Sequence, residues 1–178
     1  MINKISCLGN TASGKSYLAK KLAQELNLPY FSLDLYYWQE NWTPITKTEF
    51  LAIEQKITAN EKWVLDGTFA EVGLAARFEQ SDCVVFLESK PLGCLKRALK
   101  RRGNEKDRLP NGADDQKIGF FRSLNFLFDI LTFNLRDRRK ILKLAHRFPD
   151  KLVILQDWGE EEALIWQLTN AHNEKKGE

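Results

Sequence analysis

Lys4-Ile5-Ser6-Cys7-Leu8-Gly9-Asn10-Thr11-Ala12-Ser13-Gly14-Lys15-Ser16 is an apolar run, a glycine-bracketed loop and a Lys-Ser pair in immediate succession. Gly9 to Ser16 fit G-x-x-x-x-G-K-[ST], the spacing of a phosphate-binding loop. Glycines let such a loop turn its backbone N–H groups toward an anion. The helix that follows adds the positive end of its dipole. At this spacing Lys15 reaches the outer phosphates and the Ser16 hydroxyl can ligate magnesium. Gly9, Asn10, Thr11, Ala12, Ser13, Gly14, Lys15, Ser16 and Tyr17 are therefore the candidate nucleotide-binding residues.

The flanks agree with the motif. Lys4–Leu8 reads as a buried parallel strand. Leu18, Leu22 and Leu26 recur every four residues with Ala19 and Ala23 beside them, as on a core-facing helix. Further out, the strand candidates are Tyr30–Leu33, Trp63–Leu65, Cys83–Leu87 and Leu152–Leu155. The helix candidates are Gly14–Leu26, Lys47–Ala59, Pro91–Arg102, a long one from about Asp115 to Ala145, and Glu160–Ala171. This alternation predicts an α/β fold, a parallel sheet with helices on both faces. Ligands of such sheets bind beyond the carboxyl ends of the strands.

Composition sets the frame. The chain has 178 residues, 43% hydrophobic and 29% charged, the profile of one globular domain. Residues 1–172 are expected to form that domain, with a lid at about 101–116 and a polar tail at 173–178. No apolar run approaches a membrane span. The chain opens directly into its first strand candidate, so no signal peptide is expected. Cys7, Cys83 and Cys94 have no paired spacing and read as reduced core thiols, which suits a cytoplasmic protein.

Net charge is +3, yet fifteen Lys/Arg stand against six Asp/Glu between Lys96 and Arg147. Such a segment is a solvated or nucleic-acid-binding surface, or a set of arginines that closes over phosphates. The helix inside it is apolar around most of its circumference, and Arg122, Asn125, Asp129, Thr132 and Arg136 form one polar stripe. Such a helix is expected to be buried within the chain, with a homodimer contact as the alternative.

Two aspartates stand at strand ends. Asp34 closes Tyr30-Phe31-Ser32-Leu33-Asp34 and can accept a proton from an attacking hydroxyl or hold the acceptor in line. Asp66 closes Trp63-Val64-Leu65-Asp66 and can hold magnesium directly or through water. Gly67 beside it leaves room for a ligand. Glu88 reads as a surface charge. Tyr36, Tyr37, Trp38 and Trp42 either wall the acceptor or pack as core.

These residues resemble the nucleoside-monophosphate-kinase-like branch of P-loop proteins, above all small bacterial proteins described as adenylate-kinase-related kinases or DNA topology modulation proteins. The resemblance rests on Gly9–Ser16, on Leu28–Asp34 with Tyr37, Trp38 and Trp42, on Trp63–Phe69, and on Val84–Leu87 followed by Arg97, Arg101 and Arg102. Asn134–Arg139 completes it. It implies a five-stranded parallel sheet of order 2-3-1-4-5, a small basic lid, and phosphoryl transfer from ATP with Mg2+ to a nucleotide, nucleoside or similar small acceptor. It also implies transition-state arginines. Arg101, Arg102 and Arg108 are candidates from the lid, and Arg136 and Arg139 from the long helix. Adenylate kinases continue Asp-Gly with an aromatic residue, proline and arginine, where this chain has Thr68-Phe69-Ala70. Arg77 is the candidate substitute on the acceptor side.

The alternative function is a non-catalytic or regulatory nucleotide binder acting on DNA topology, but the sequence carries no DNA-binding motif. Asn104-Glu105-Lys106-Asp107 has the wrong order for a guanine-reading Asn-Lys-x-Asp, which argues against a GTPase.

Overall fold

The computed structural model describes residues 2–39, 43–101, 120–156 and 159–174. Its elements in chain order are β1 (Lys4–Gly9), α1 (Lys15–Glu25), β2 (Tyr30–Ser32), α2 (Leu33–Tyr37), α3 (Lys47–Thr58) and β3 (Trp63–Asp66). They continue with α4 (Leu74–Gln80), β4 (Cys83–Leu87), α5 (Pro91–Arg101), α6 (Phe120–Ala145), β5 (Leu152–Leu155) and α7 (Glu160–Glu174). The strands form one sheet of order β2-β3-β1-β4-β5, and every pairing is parallel. This is the expected order, with helices on both faces.

Alternation along the strands fixes the two faces. Ile5 and Cys7 of β1, with Val64 and Val85, pack under α1 and α7 through Leu18, Leu22, Leu164 and Leu168. Leu8, Val84 and Phe86 point the other way, to Leu74 and Phe78 of α4 and to Phe133 and Ile141 of α6. A third cluster joins α2 and α3 to β3 through Leu33, Phe50, Ile57, Trp63 and Leu65. The three cysteines are free and buried.

Two short helices stand where the sequence reading placed none. α2 begins at Leu33, which was expected to end the second strand. Leu33 is fully buried against Gly67, so tertiary packing overrides its strand-like setting. α4 follows Gly73, whose φ is 73°. Its Leu74 and Phe78 make a single apolar pair at helical spacing.

α6 departs from expectation in a different way. Ile130, Phe133, Ile141 and Ala145 are buried, but Leu124, Phe126, Phe128, Leu131 and Leu135 are exposed. The expected burial of the whole helix within the chain does not occur: the sheet offers it one face, and its apolar circumference is wider than that face. Asn125, Asp129 and Arg136 are exposed as the polar stripe predicts, and the Arg122 side chain lies outside the described residues. No helix among the described residues is long and apolar enough to cross a membrane.

Candidate active site

The loop after β1 is closed by its own bonds and by its neighbours. Ser13 N–H donates to Asn10 O at 3.1 Å, and Tyr17 and Leu18 N–H donate to Gly14 O at 3.0 and 3.1 Å. Gly14 is the left-handed residue before α1, with φ 104°. Gly9 has φ 157°, and a Cβ there would lie 2.7 Å from Ser13 Oγ and 3.0 Å from Leu87 O. A side chain at Gly9 would push the loop off the sheet. Ser13, Gly14 and Lys15 are buried, Ser16 is half-buried, and Thr11 and Tyr17 are exposed.

Three contacts hold this loop from outside, and the sequence reading assigned none of them. Thr68, just past β3, accepts from Gly9 N–H at 2.9 Å and donates to Gly9 O at 2.6 Å. Arg97 of α5 donates from Nε to Ala12 O at 2.7 Å. Buried Asn10 donates from Nδ2 to Ile130 O of α6 at 2.8 Å, and its Oδ1 accepts from Thr11 N–H at 2.8 Å. Thr68 and Arg97 lie in stretches that carried the family resemblance, but only the strand order shows what they touch.

Both strand-end aspartates come to the same edge. Asp66 lies opposite Cys7 on one side and Ser32 on the other. It is fully buried. Tyr30 OH donates to its Oδ2 at 3.2 Å, while Oδ1 has no hydrogen-bond partner. Burial and Asp66 push the Tyr30 phenol well above its ordinary range, and Asp34 adds to the rise. Burial, then Asp66, also raise the Cys7 thiol, and Lys15 opposes them. Lys15 follows the loop after β1, Asp66 ends β3 and Asp34 follows β2, so the three charges stand past the carboxyl ends of neighbouring strands, while Cys7 and Tyr30, within their strands, both feel Asp66. Asp34 itself sits half-buried in the first turn of α2.

Other expectations change with the geometry. Arg77 is 1% exposed and has no free donor face for an acceptor. Its Nη1 donates to Gly67 O at 2.6 Å. Its Nη2 donates to Thr68 O at 2.7 Å and to Phe69 O and Val72 O, both at 3.0 Å. Its Nε lies 2.7 Å from Glu54 Oε1 of α3. Arg77 is therefore a support beneath the loop after β3, since its guanidinium is spent on backbone carbonyls. Gly67 likewise faces protein: with φ 135°, a Cβ there would meet Leu33 Cβ at 2.8 Å. Its lack of a side chain makes room for α2. Glu88 pairs with Arg138 of α6 and is not a free surface charge.

Among the aromatics, Tyr37 packs against Phe50 and Phe69 with ring centroids 5.4 and 4.7 Å apart, as core. Trp38, half-buried at the end of α2, meets Tyr37 edge-on at 4.8 Å. Trp42 lies outside the described residues, as do Arg102, Arg108 and nearly all of the expected lid. Arg136 and Arg139 are exposed on α6, and Arg136 bonds Asp129 at 3.1 Å.

A shallow hollow beside the loop is lined by Ser13, Gly14, Tyr17, Leu87, Ser89 and Gln156, among others. A larger one of about 550 Å³ lies between Ala70–Ala75 and Lys140, Lys143 and Arg147. It holds none of the site residues expected from sequence, so its size does not make it the site.

A parallel five-stranded sheet of this order, with a glycine loop between its central strand and α1, is the fold of P-loop kinases. The chain is similar in structure to shikimate kinase from Bacteroides thetaiotaomicron, with a TM-score of 0.55 and 17% sequence identity over 96% of this chain and 98% of that one. It is also similar to shikimate kinase from Acinetobacter baumannii, solved in complex with shikimate, with a TM-score of 0.61 and 15% identity over 99% of this chain and 96% of that one. No protein-family model matches the chain, and no curated protein matches it in sequence. At these identities the likeness establishes the fold.

Proposed function

We propose that this chain is an ATP- and Mg2+-dependent phosphotransferase acting on a small acceptor that carries a hydroxyl or phosphate. One observation carries the reading. The Gly9–Ser16 loop, buried Lys15 and the Asp34–Asp66 pair meet at one sheet edge. The finer kinship with adenylate-kinase-related kinases, drawn from sequence, is part of this proposal.

Loop N–H groups and the α1 dipole bind the triphosphate, and Lys15 neutralises its outer oxygens. The donor set fits magnesium: Ser16 offers a hydroxyl, and Asp66 Oδ1 is a buried acceptor with no donor of its own. The bound metal would screen phosphate charge. Asp34 orients the acceptor hydroxyl or takes its proton, with Trp38 beside it. Arg102, Arg136 and Arg139 are proposed to stabilise the transferring phosphoryl group. The likeness to an enzyme solved with shikimate adds hydroxylated acids to nucleosides and nucleotides as acceptor classes.

The test is ADP release from ATP and Mg2+ across a panel of nucleosides, nucleoside monophosphates and hydroxylated acids. The proposal expects one class to give acceptor-dependent turnover. Absence of both turnover and ATP-induced thermal stabilisation would overturn it.

Tyr30 yields a narrower expectation. Its hydroxyl holds Asp66 Oδ2 and so orients Oδ1. Outer-shell partners of this kind change metal affinity by about 10- to 100-fold when removed. Tyr30→Phe is expected to raise the Mg2+ concentration needed for tight ATP binding by about tenfold. Metal-free ATP binding should stay the same. Calorimetric titrations with and without Mg2+ check it, and an equal loss in both would assign Tyr30 a purely structural role.

A further inference from the structure

We propose that the exposed face of α6 is where two copies of this chain meet, helix against antiparallel helix. Leu124, Phe128, Leu131 and Leu135 stand in the open, at 46%, 61%, 42% and 62% exposure. Their steps of four, three and four residues are those of a coiled-coil seam. They fall on one stripe about 16 Å long. Single exposed apolar residues are ordinary, but four in register are the mark of a contact surface. The opposite side of α6 already has its partner, because Phe133, Ile141 and Ala145 pack on the sheet with Leu8, Val84 and Phe86. The helix has two apolar faces and the fold uses one.

The stripe's own composition selects the occupant. The stretch that precedes α6 in sequence, residues 102–119, carries eight charged residues, with only Leu109, Pro110, Ala113 and Ile118 to set against four Leu/Phe side chains. A second copy matches better. A two-fold axis at the middle of the stripe sets Leu124 against the partner's Leu135 and Phe128 against the partner's Leu131. The seam's flanks are Asn125 and Thr132 on one side and Leu127 and Asn134 on the other. None is charged. Past Leu135 the same face carries Arg138 and Arg139, and the two-fold pairing sets them against the partner's positions 121 and 120, which are uncharged, so no like-charge pair opposes the approach. Of the neighbouring charges, Asp129 holds Arg136, and Arg138 turns to Glu88 at the end of the stripe.

Sedimentation equilibrium across the micromolar range tests this. Wild type is expected at twice the chain mass of 20.6 kDa. Phe128→Lys/Leu131→Lys is expected at the single mass, with its far-UV spectrum and cooperative melting kept, since both sites lie outside the core. Because the native thiols are buried, a Leu124→Cys/Leu135→Cys variant should form a covalent dimer on mild oxidation, while neither single variant does. Wild type at the single mass throughout would overturn the proposal. So would a dimer that survives the double-lysine change. A third overturning result is a single-mass protein in which trypsin cuts residues 102–119 more slowly in wild type than in the double-lysine variant, which would assign the stripe to the chain's own segment.

Discussion

Lys15→Ala is expected to leave the chain folded and to lower phosphoryl transfer by about 10³-fold, or ~4 kcal/mol of transition-state stabilisation. The reason is positional. Lys15 is 8% exposed, at the start of α1. Its charge is felt at Cys7, within the same neighbourhood as Asp66. A cation held there, out of bulk water, acts on a triphosphate far more strongly than one at the surface. The backbone of the loop does not depend on the Lys15 side chain, because Thr68, Arg97 and Asn10 hold it from outside. Melting temperature should therefore change little while turnover and Mg–ATP affinity fall together. Steady-state assays beside a thermal melt check this. Full turnover in the variant would remove the loop from the chemistry.

Arg77→Met is expected to destabilise the fold by about 3–5 kcal/mol. In a protein of this size each kcal/mol shifts the melting temperature by roughly 2–4 °C, so a fall of about 6–20 °C should be seen. Arg77 is fully enclosed, and four carbonyls from Gly67 to Val72 accept from it. Removing it orphans those carbonyls and leaves Glu54 buried with no counter-charge. Burial already pushes the Glu54 carboxyl up, and Arg77 is what pulls it back down. Glu54→Gln added to Arg77→Met should therefore recover part of the loss, and the double-mutant cycle reads the coupling. A variant that melts like wild type would show that the loop holds itself. Because this loop follows Asp66 directly, catalysis should weaken as well, through geometry and not through a lost contact to the acceptor.

The contrast between Lys15 and Arg77 shows what a sequence carries. A motif defined by contiguous spacing is legible, because the chain itself fixes the distances. The five strands are legible for the same reason: each is a short apolar run, and all five begin and end within a residue of where the pattern puts them. The partners of Arg77 were not legible. Glu54 stands on another helix, and only the packing of α3 against β3 brings the two together. The expected strand order set β2 beside β3, but the register that puts Tyr30 opposite Val64, with its hydroxyl on Asp66, comes from the folded sheet alone. The exposed stripe of α6 was hidden by its own composition, since an apolar helix says how much surface it would bury and not how much the fold supplies. α4 was legible in part: Leu74 and Phe78 lie at helical spacing, but one such pair is a weak signal.

The account turns on whether the Gly9–Ser16 loop is an anion cradle faced by Asp66. A crystal structure with a non-hydrolysable ATP analogue and Mg2+ addresses this most directly. The account predicts the triphosphate wrapped by the N–H groups of Gly9–Ser16, Lys15 on its outer oxygens, and the metal at Ser16 within one water of Asp66. An empty loop at saturating analogue, or phosphates bound at the basic hollow by Lys140 and Lys143, would contradict it.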